Sequence, residues 1–539
     1  MHALYPRGRA DMDFDQWLQS PNWRPRITHR ALLQQDILSE VFQCLLDVPK
    51  YHRRKNNLLA ASLVCRTWCS PALDACWSQM DTLNPLLKLI PSIMDGTPEL
   101  QDLDLSRYQI YARRIRELRL DTGGDDNADV IPSAILGQVF LALQVPLLPN
   151  LRLLKWYINL KSPFTADPIF FFAPSLRTFI VTVRVTGDDS EDTSCGFNAV
   201  QLVLAALVQQ VPHLKTLTLH GDMRVCCLGQ IGELKRLENL EVHPYPNHND
   251  ESWKLQRTVD KATFASLATL ENLTALRVLV HCLDIVPLKE SYLFPKLQGL
   301  YLRGSLRKMT DVLRSLVAPA LRDVILEPED EGLVGYRLLF AAIHPSLTQL
   351  RVSRKFVGPV NESLVAEEIF PSLSHLVNLD RLFIRIGLYS IRDEDIASIA
   401  PYWKKLQYLY IVENEESFGR PHPTVHALIT LASHCPSLKH IAMPVDVVPL
   451  LRSDVPVLNH GLLVLDIRGA NRRGELDDAD IRMLARQLGC LFPHLHAVLD
   501  AWGTLSILRT FRALGQKREQ HESVTESAPT MSAWMKAVF

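Results

Sequence analysis

The sequence predicts an α/β fold: an all-helical N-terminal part, then a curved solenoid of stacked repeats with short parallel strands on its concave face and helices on its convex face. Three observations predict it. An L-x-x-L-x-L pattern returns along most of the chain, and a proline stands two residues before the first leucine in repeat after repeat. Ahead of the series lies a short stretch of helical apolar stripes that has too little area to form a core alone.

Residues 1–30 are polar and broken by Pro6, Pro21 and Pro25, which predicts a flexible arm that Trp17 and Trp23 could pin locally. From Leu32 to Met80 the spacing changes. Ile37, Leu38, Val41, Phe42 and Leu45 recur at one and four residues and draw one stripe on a helix. Asp36 and Glu40 sit near its N-terminus, where the helix dipole favours negative charge. Asn56 or Asn57 can cap a second helix carrying Leu59, Ala60, Leu63 and Val64. Ser70-Pro71 reads as an N-cap followed by proline at the first helical position, opening a third helix with Leu73, Cys76 and Trp77.

The order Leu33, Asp36-Ile37-Leu38, Glu40-Val41-Phe42, Leu45, then Ser62-Leu63-Val64-Cys65-Arg66, Trp68, Pro71-Ala72-Leu73 and Trp77 resembles an F-box. The likeness is densest in Ser-Leu-Val-Cys-Arg-x-Trp. It departs at the start, where such motifs carry proline after the first leucine and this chain has Gln34-Gln35. The resemblance implies an F-box over residues 31–80. Its partner would be a Skp-type adaptor and, through that, the cullin of a Skp–cullin–F-box ubiquitin ligase. It assigns adaptor contact to Leu33, Ile37, Leu38, Val41, Phe42, Leu63, Val64, Cys65, Trp68 and Trp77.

Residues 81–114 are expected to be a helical connector, with helices over Leu83–Ile93 and Arg107–Arg114. The repeats should run over 115–510. They include Ile115-Leu118-Leu120, Leu214-Leu217-Leu219, Leu237-Leu240-Val242, Leu297-Leu300-Leu302, Leu347-Leu350-Val352, Leu379-Leu382-Ile384 and Leu406-Leu409-Ile411, with Leu276-Leu279-His281 as a poor match. A mean period of about 29 residues lies near the upper end for leucine-rich repeats. Pro149, Pro174, Pro212, Pro295, Pro319, Pro345, Pro436 and Pro493 mark the turn into each strand. Helix-like segments precede them at Ala199–Gln210, Met309–Leu316, Gly335–Ile343, Thr424–Ser433 and Asp480–Leu491. Each unit then has an apolar helix face and an apolar strand face that only its neighbours can cover. Residues 511–539 are expected to be a polar tail.

Composition narrows the function. The 539 residues carry 58 Lys plus Arg against 59 Asp plus Glu, a net charge of −1, so nothing suggests the basic footprint that nucleic acid needs. Apolar runs such as Val200–Val208 fall short of a membrane span, and the N-terminus has no apolar signal core. The ten cysteines have no framework spacing, which suits a reducing, intracellular compartment, cytoplasmic or nuclear. Asp121-Thr-Gly lacks the second carboxylate loop of an aspartic protease. His422 and His426 stand at i, i+4 without a third ligand. Cys65, Cys69 and Cys76 read as small core residues. No catalytic residue, cofactor or metal is assigned, and the chain is expected not to be an enzyme.

The expected function is substrate recognition: the F-box holds the adaptor and the solenoid holds a target protein. The alternative is a leucine-rich-repeat scaffold working outside any ligase. Residues alternating with the leucines point to the opposite side of each strand. They are Thr216, Thr218 and His220 in one repeat, then Tyr301 with Arg303, Gln349 with Arg351, Arg381, Phe383 and Arg385 in the next, and Tyr408 with Tyr410. Aromatic and Arg side chains therefore gather on the later strands, a composition typical of binding hot spots. The candidate target-binding set is Tyr301, Arg303, Arg351, Phe383, Arg385, Tyr408 and Tyr410.

Overall fold

The computed structural model describes residues 34–46, 51–90, 104–121, 133–159, 167–184, 194–221, 228–243, 261–280, 291–330, 332–354, 365–388, 390–412, 422–446, 455–467 and 478–499. Leu33 and both terminal segments lie outside them. The chain forms two compact units, Met1–Cys226 and Cys227–Phe539, so the first unit holds both the helical bundle and the first repeats.

In the first unit, helices α1 (Gln35–Leu46), α2 (Tyr51–Ser62) and α3 (Arg66–Ser78) form the bundle. Leu38, Phe42 and Leu46 return every four residues, so one face of α1 is buried against Leu58 of α2 and Ala72, Ala75 and Cys76 of α3. Two boundaries differ from expectation. Helix α2 starts before Asn56 and ends at Ser62, whose hydroxyl donates to the Leu59 carbonyl at 2.7 Å, so Leu63 and Val64 lie in the following turn. Helix α3 starts behind Cys65, whose carbonyl accepts from the amides of Trp68 and Cys69 at 3.1 Å each. Pro71 is therefore inside the helix, not at its first position. A proline there forgoes one backbone bond, which the buried packing of Ala72 and Leu73 offsets.

Helix α3 runs directly into β1 (Gln79–Met80), which pairs in parallel with β2 (Glu117–Asp121). The sheet thus begins at the end of the bundle, ahead of residues 81–114. Within that stretch the described helices are α4 (Asn84–Leu87) and α5 (Ser106–Ala112). Arg114 donates to the Ser70 carbonyl at 3.2 Å and pairs with Asp74, and Trp77 packs on Tyr111 with centroids 4.7 Å apart. Strands β3 (Leu153–Asn159), β4 (Thr178–Arg184) and β5 (Thr216–His220) follow in sequence order, all parallel. Leu118, Leu154, Phe179 and Leu217 align in register and are buried. At the end of β5, Gly221 adopts φ +106°, and a Cβ there would run into the Val183 carbonyl.

The second unit repeats the plan. Its main sheet takes β6 (Asn239–His243), β7 (Ala275–Leu279), β9 (Gly299–Gly304), β11 (Asp323–Pro328), β12 (Gln349–Ser353), β13 (Arg381–Arg385), β14 (Tyr408–Ile411), β15 (His440–Ala442), β16 (Val464–Asp466) and β17 (Ala497–Leu499), in that order and all parallel. A separate pair joins β8 (Tyr292–Leu293) to β10 (Leu316–Val317). Helices at Leu306–Ser315, Leu333–Ala341, Val425–His434 and Asp478–Leu491 lie where the sequence places them. One repeat is shifted from its expected register. Leu273, Leu276 and Val278 are its core positions, not Leu276-Leu279-His281. Glu271 stands where eight repeats have proline, and Leu279 at the sixth position after Leu273 is also buried, so the pattern fits in two frames.

Backbone bonds stitch each repeat to the next. The Arg116 carbonyl accepts the amides of Arg152 and Leu153 at 2.7 and 3.0 Å, and the Arg322 carbonyl accepts those of Thr348 and Gln349 at 2.9 Å each. The residue between proline and leucine adds a side-chain bond. Asn150 donates to the Arg113 carbonyl at 2.8 Å, Ser175 to that of Leu151 at 2.7 Å and Ser346 to that of Leu321 at 3.2 Å. Amides of the first full strand therefore depend on β1: the Arg116 amide bonds the Ser78 carbonyl at 2.9 Å. Removing residues 1–105 should speed hydrogen exchange of the 116–120 amides by at least an order of magnitude while β12–β15 keep their protection. Unchanged exchange in β2 would contradict the shared edge.

Candidate functional site

The bundle divides its apolar residues between core and surface. Leu38, Phe42 and Cys65 are 0%, 2% and 2% exposed. They hold the bundle together, which corrects their assignment as contact residues: an occluded side chain cannot reach a partner without unfolding its own core. Trp68 meets Phe42 edge-on at 5.6 Å and is half-buried; Trp77 is likewise half-buried against Tyr111. Both brace the bundle. In contrast Ile37, Val41, Leu63 and Val64 are 38%, 46%, 53% and 46% exposed. Ile37 and Val41 are one helical turn apart, and Leu63-Val64 form the turn after α2. Leu59, exposed to a similar degree, belongs with them and was absent from the sequence-derived set. Its i, i+4 spacing to Leu63 could have flagged it.

In the second unit the leucine-type positions are buried and the alternating ones form an open face with two stacked rows. Across β12, β13 and β14, Arg351 lies over the Phe383 ring at 4.8 Å, and Phe383 stacks on Tyr410 at 4.8 Å and 8°. In the adjacent row Arg381 lies over Tyr408 at 4.8 Å, and Tyr408 stacks on His440 at 4.8 Å. Arg385 is exposed at the end of β13. Burial holds the His440 imidazole below its ordinary pKa of 6.5, with Lys439 and Arg381 adding to the shift, so the ring stacks in its neutral form. Burial likewise depresses Arg351, although Glu327 opposes the shift.

Two predicted target contacts do other work. Tyr301 is buried beneath the Arg277 guanidinium, 4.1 Å from its ring, and Arg277 pairs with Glu241 at 2.7 Å. Burial, then the Glu327 charge, raise the Tyr301 hydroxyl well above its usual range. Arg303 is neutralised by Glu329 at 3.0 Å, both largely enclosed. Tyr301 and Arg303 therefore lock β9 to its neighbours and are removed from the contact set. Arg381 and His440 enter it.

Among the described residues, no cluster of three His, Cys, Asp or Glu side chains is placed to hold a metal ion, and no helix is long and apolar enough to cross a membrane. Burial raises the thiols of Cys69 and Cys76 and pushes Cys435 up to about 12, as expected of core residues.

No protein-family model and no curated protein matches the sequence. Solved structures do. A TLR13–ssRNA13 complex matches with 16% identity and a TM-score of 0.34, covering 73% of this chain, which spans 57% of that one. The leucine-rich repeat-containing protein LegL7 from Legionella pneumophila matches with 11% identity, a TM-score of 0.32 and coverage of 68% and 99%. The yeast Rad7–Elc1 complex matches with 13% identity, a TM-score of 0.28 and coverage of 85% and 96%. At such scores these likenesses assign no partner or activity. The strand registers and buried leucine rows place the chain in the leucine-rich-repeat class of α/β folds.

Because the folded His440 pKa lies below the unfolded one, its neutral stack contributes stability that is present above about pH 6.5 and is lost as the pH falls. His440→Phe should flatten that acid-side loss in thermal melts between pH 7 and 5. An unaltered pH profile would show that His440 does not carry it.

Proposed function

We propose that this chain is the substrate-recognition subunit of a Skp–cullin–F-box type ubiquitin ligase, with the bundle docking on the Skp adaptor and the repeats holding a target protein. One observation carries the reading. Five aliphatic side chains, Ile37, Val41, Leu59, Leu63 and Val64, face water on a bundle whose core is already closed beneath them. Leaving such a face in water is unfavourable, and docking recovers roughly 25 cal/mol for each Å² of apolar area buried. The F-box resemblance falls on four of them, Ile37, Val41, Leu63 and Val64. The chain itself performs no chemistry in this reading. The partner ligase supplies the conjugating enzyme, and the gain in rate comes from holding the target nearby. Such a complex works inside the cell, in the cytoplasm or nucleus.

A scaffold acting outside any ligase is the second reading. It is favoured by β1, which lets the bundle serve as an N-terminal cap that completes the sheet edge. The two differ at the exposed face. Ile37→Asp with Val64→Asp should abolish co-purification of the adaptor and cullin while the melting temperature stays within about 2 °C, because exposed substitutions rarely change stability by more than about 0.5 kcal/mol. Adaptor retained by the double variant at wild-type level would overturn the ligase reading. Leu38→Ala is the folding control: deleting that buried side chain should cost about 2–5 kcal/mol and unfold the bundle.

A further inference from the structure

The four strands β12–β15 differ from the strands beside them in charge. Their open-face positions are Gln349, Arg351 and Ser353, then Arg381, Phe383 and Arg385, then Tyr408 and Tyr410, then His440 and Ala442. None is a carboxylate. Acids stand on the neighbouring strand β11 instead, at Asp323 and Glu327, and Asp466 on β16 is buried. Asp380, just ahead of β13, pairs with Arg381 at 3.5 Å, where both are part-exposed. Register places Arg351 opposite Phe383, with Arg381 and Arg385 two residues to either side on β13, so three arginines stand within two positions of one ring and the Arg351 guanidinium lies on it. Burial is the main cause of the depressed Arg351 pKa; Glu327 opposes it, and the Arg385 charge adds a smaller push in the same direction as burial. Like charges gathered at the centre of an open face are unfavourable in the unliganded chain and become favourable when an anion arrives.

The stacking decides what kind of anion fits. Phe383 has Arg351 against one side and Tyr410 against the other, and Tyr408 has Arg381 and His440 in the same way. Both faces of these two rings are therefore occupied within the protein, and a nucleobase has no ring face there on which to stack. Stacked guanidinium groups keep their N–H edges for carboxylate or phosphate oxygens, which they hold in pairs. The patch crosses four strands spaced roughly 4.8 Å apart, a width of about 14 Å, or about four residues of extended chain.

We propose, resting on the target-holding role above, that the open face of β12–β15 binds an extended acidic protein segment, seating a phosphate or closely spaced carboxylates among Arg351, Arg381 and Arg385. The rim at Asp323 and Glu327 repels the segment's acids and limits how far along the array it extends on that side.

The test uses the full chain purified with its adaptor and fluorescein-labelled peptides of alternating Ser and Glu, in phosphoserine and unmodified forms. Anisotropy should report binding that weakens steeply with salt. The variant Arg381→Gln/Arg385→Gln, altered at two surface positions, should bind roughly tenfold or more weakly, and Arg381→Lys/Arg385→Lys should fall between. Tighter binding of the phosphoserine form identifies phosphate as the seated group, and equal binding identifies carboxylates; either supports the site. Neither peptide binding, undiminished binding by the Gln variant, or stronger binding of a single-stranded RNA than of both peptides would overturn it. Adaptor content of the same samples separates the two ideas. Peptide held without adaptor refutes the ligase reading and keeps the site, whereas adaptor held without peptide refutes the site.

Discussion

Within each unit, a described repeat is completed by the one before it. A carbonyl just ahead of one strand accepts two amides from the next repeat, as Arg116 does for Arg152 and Leu153, and Thr348 for Asp380 and Arg381. No strand can satisfy its own backbone, and no leucine row is dry until a neighbour covers it. That dependence fixes the register, and the register sorts the side chains. Leu350, Leu382 and Leu409 are committed to the interior, which leaves Arg351, Phe383 and Tyr410 in line on the other side. The arginine–aromatic rows are thus a by-product of the same pairing that builds the core.

The bundle obeys the same rule at the start of the array. Helix α3 supplies β1, and β1 gives β2 its partner. The helices are therefore structural for the repeats and still leave Ile37, Val41, Leu59, Leu63 and Val64 at the surface. A cap alone would have no use for a second apolar face, which is why docking is the stronger of the two readings.

Much of this was legible in the sequence. The leucine period and its prolines located the strands, because proline ends the helix and sets the turn before each one. In the repeat at Glu271 the register was misread by three residues, because Leu273, Leu276 and Leu279 offer the leucine spacing in two frames. Alternation named the open face correctly but could not separate contact from structure: Tyr301 lies under Arg277 and Arg303 faces Glu329, partners two or three dozen residues away in sequence. In the bundle, the stripe at one-and-four spacing was read as a single surface. It is two, with Leu38 and Phe42 inside and Ile37 and Val41 outside, because a helix between neighbours buries only part of its apolar arc. Helix α3 began earlier than Ser70-Pro71 suggested, since packing around Ala72 outweighs the missing proline bond.

The central claim is that the surface of the bundle, and not the repeats, receives the adaptor. Hydrogen exchange of the full chain with and without a Skp-type adaptor tests it most directly. The account predicts slowed exchange confined to residues 35–65, with β12–β15 unchanged. Protection that appears on the repeats and leaves residues 35–65 untouched would contradict it.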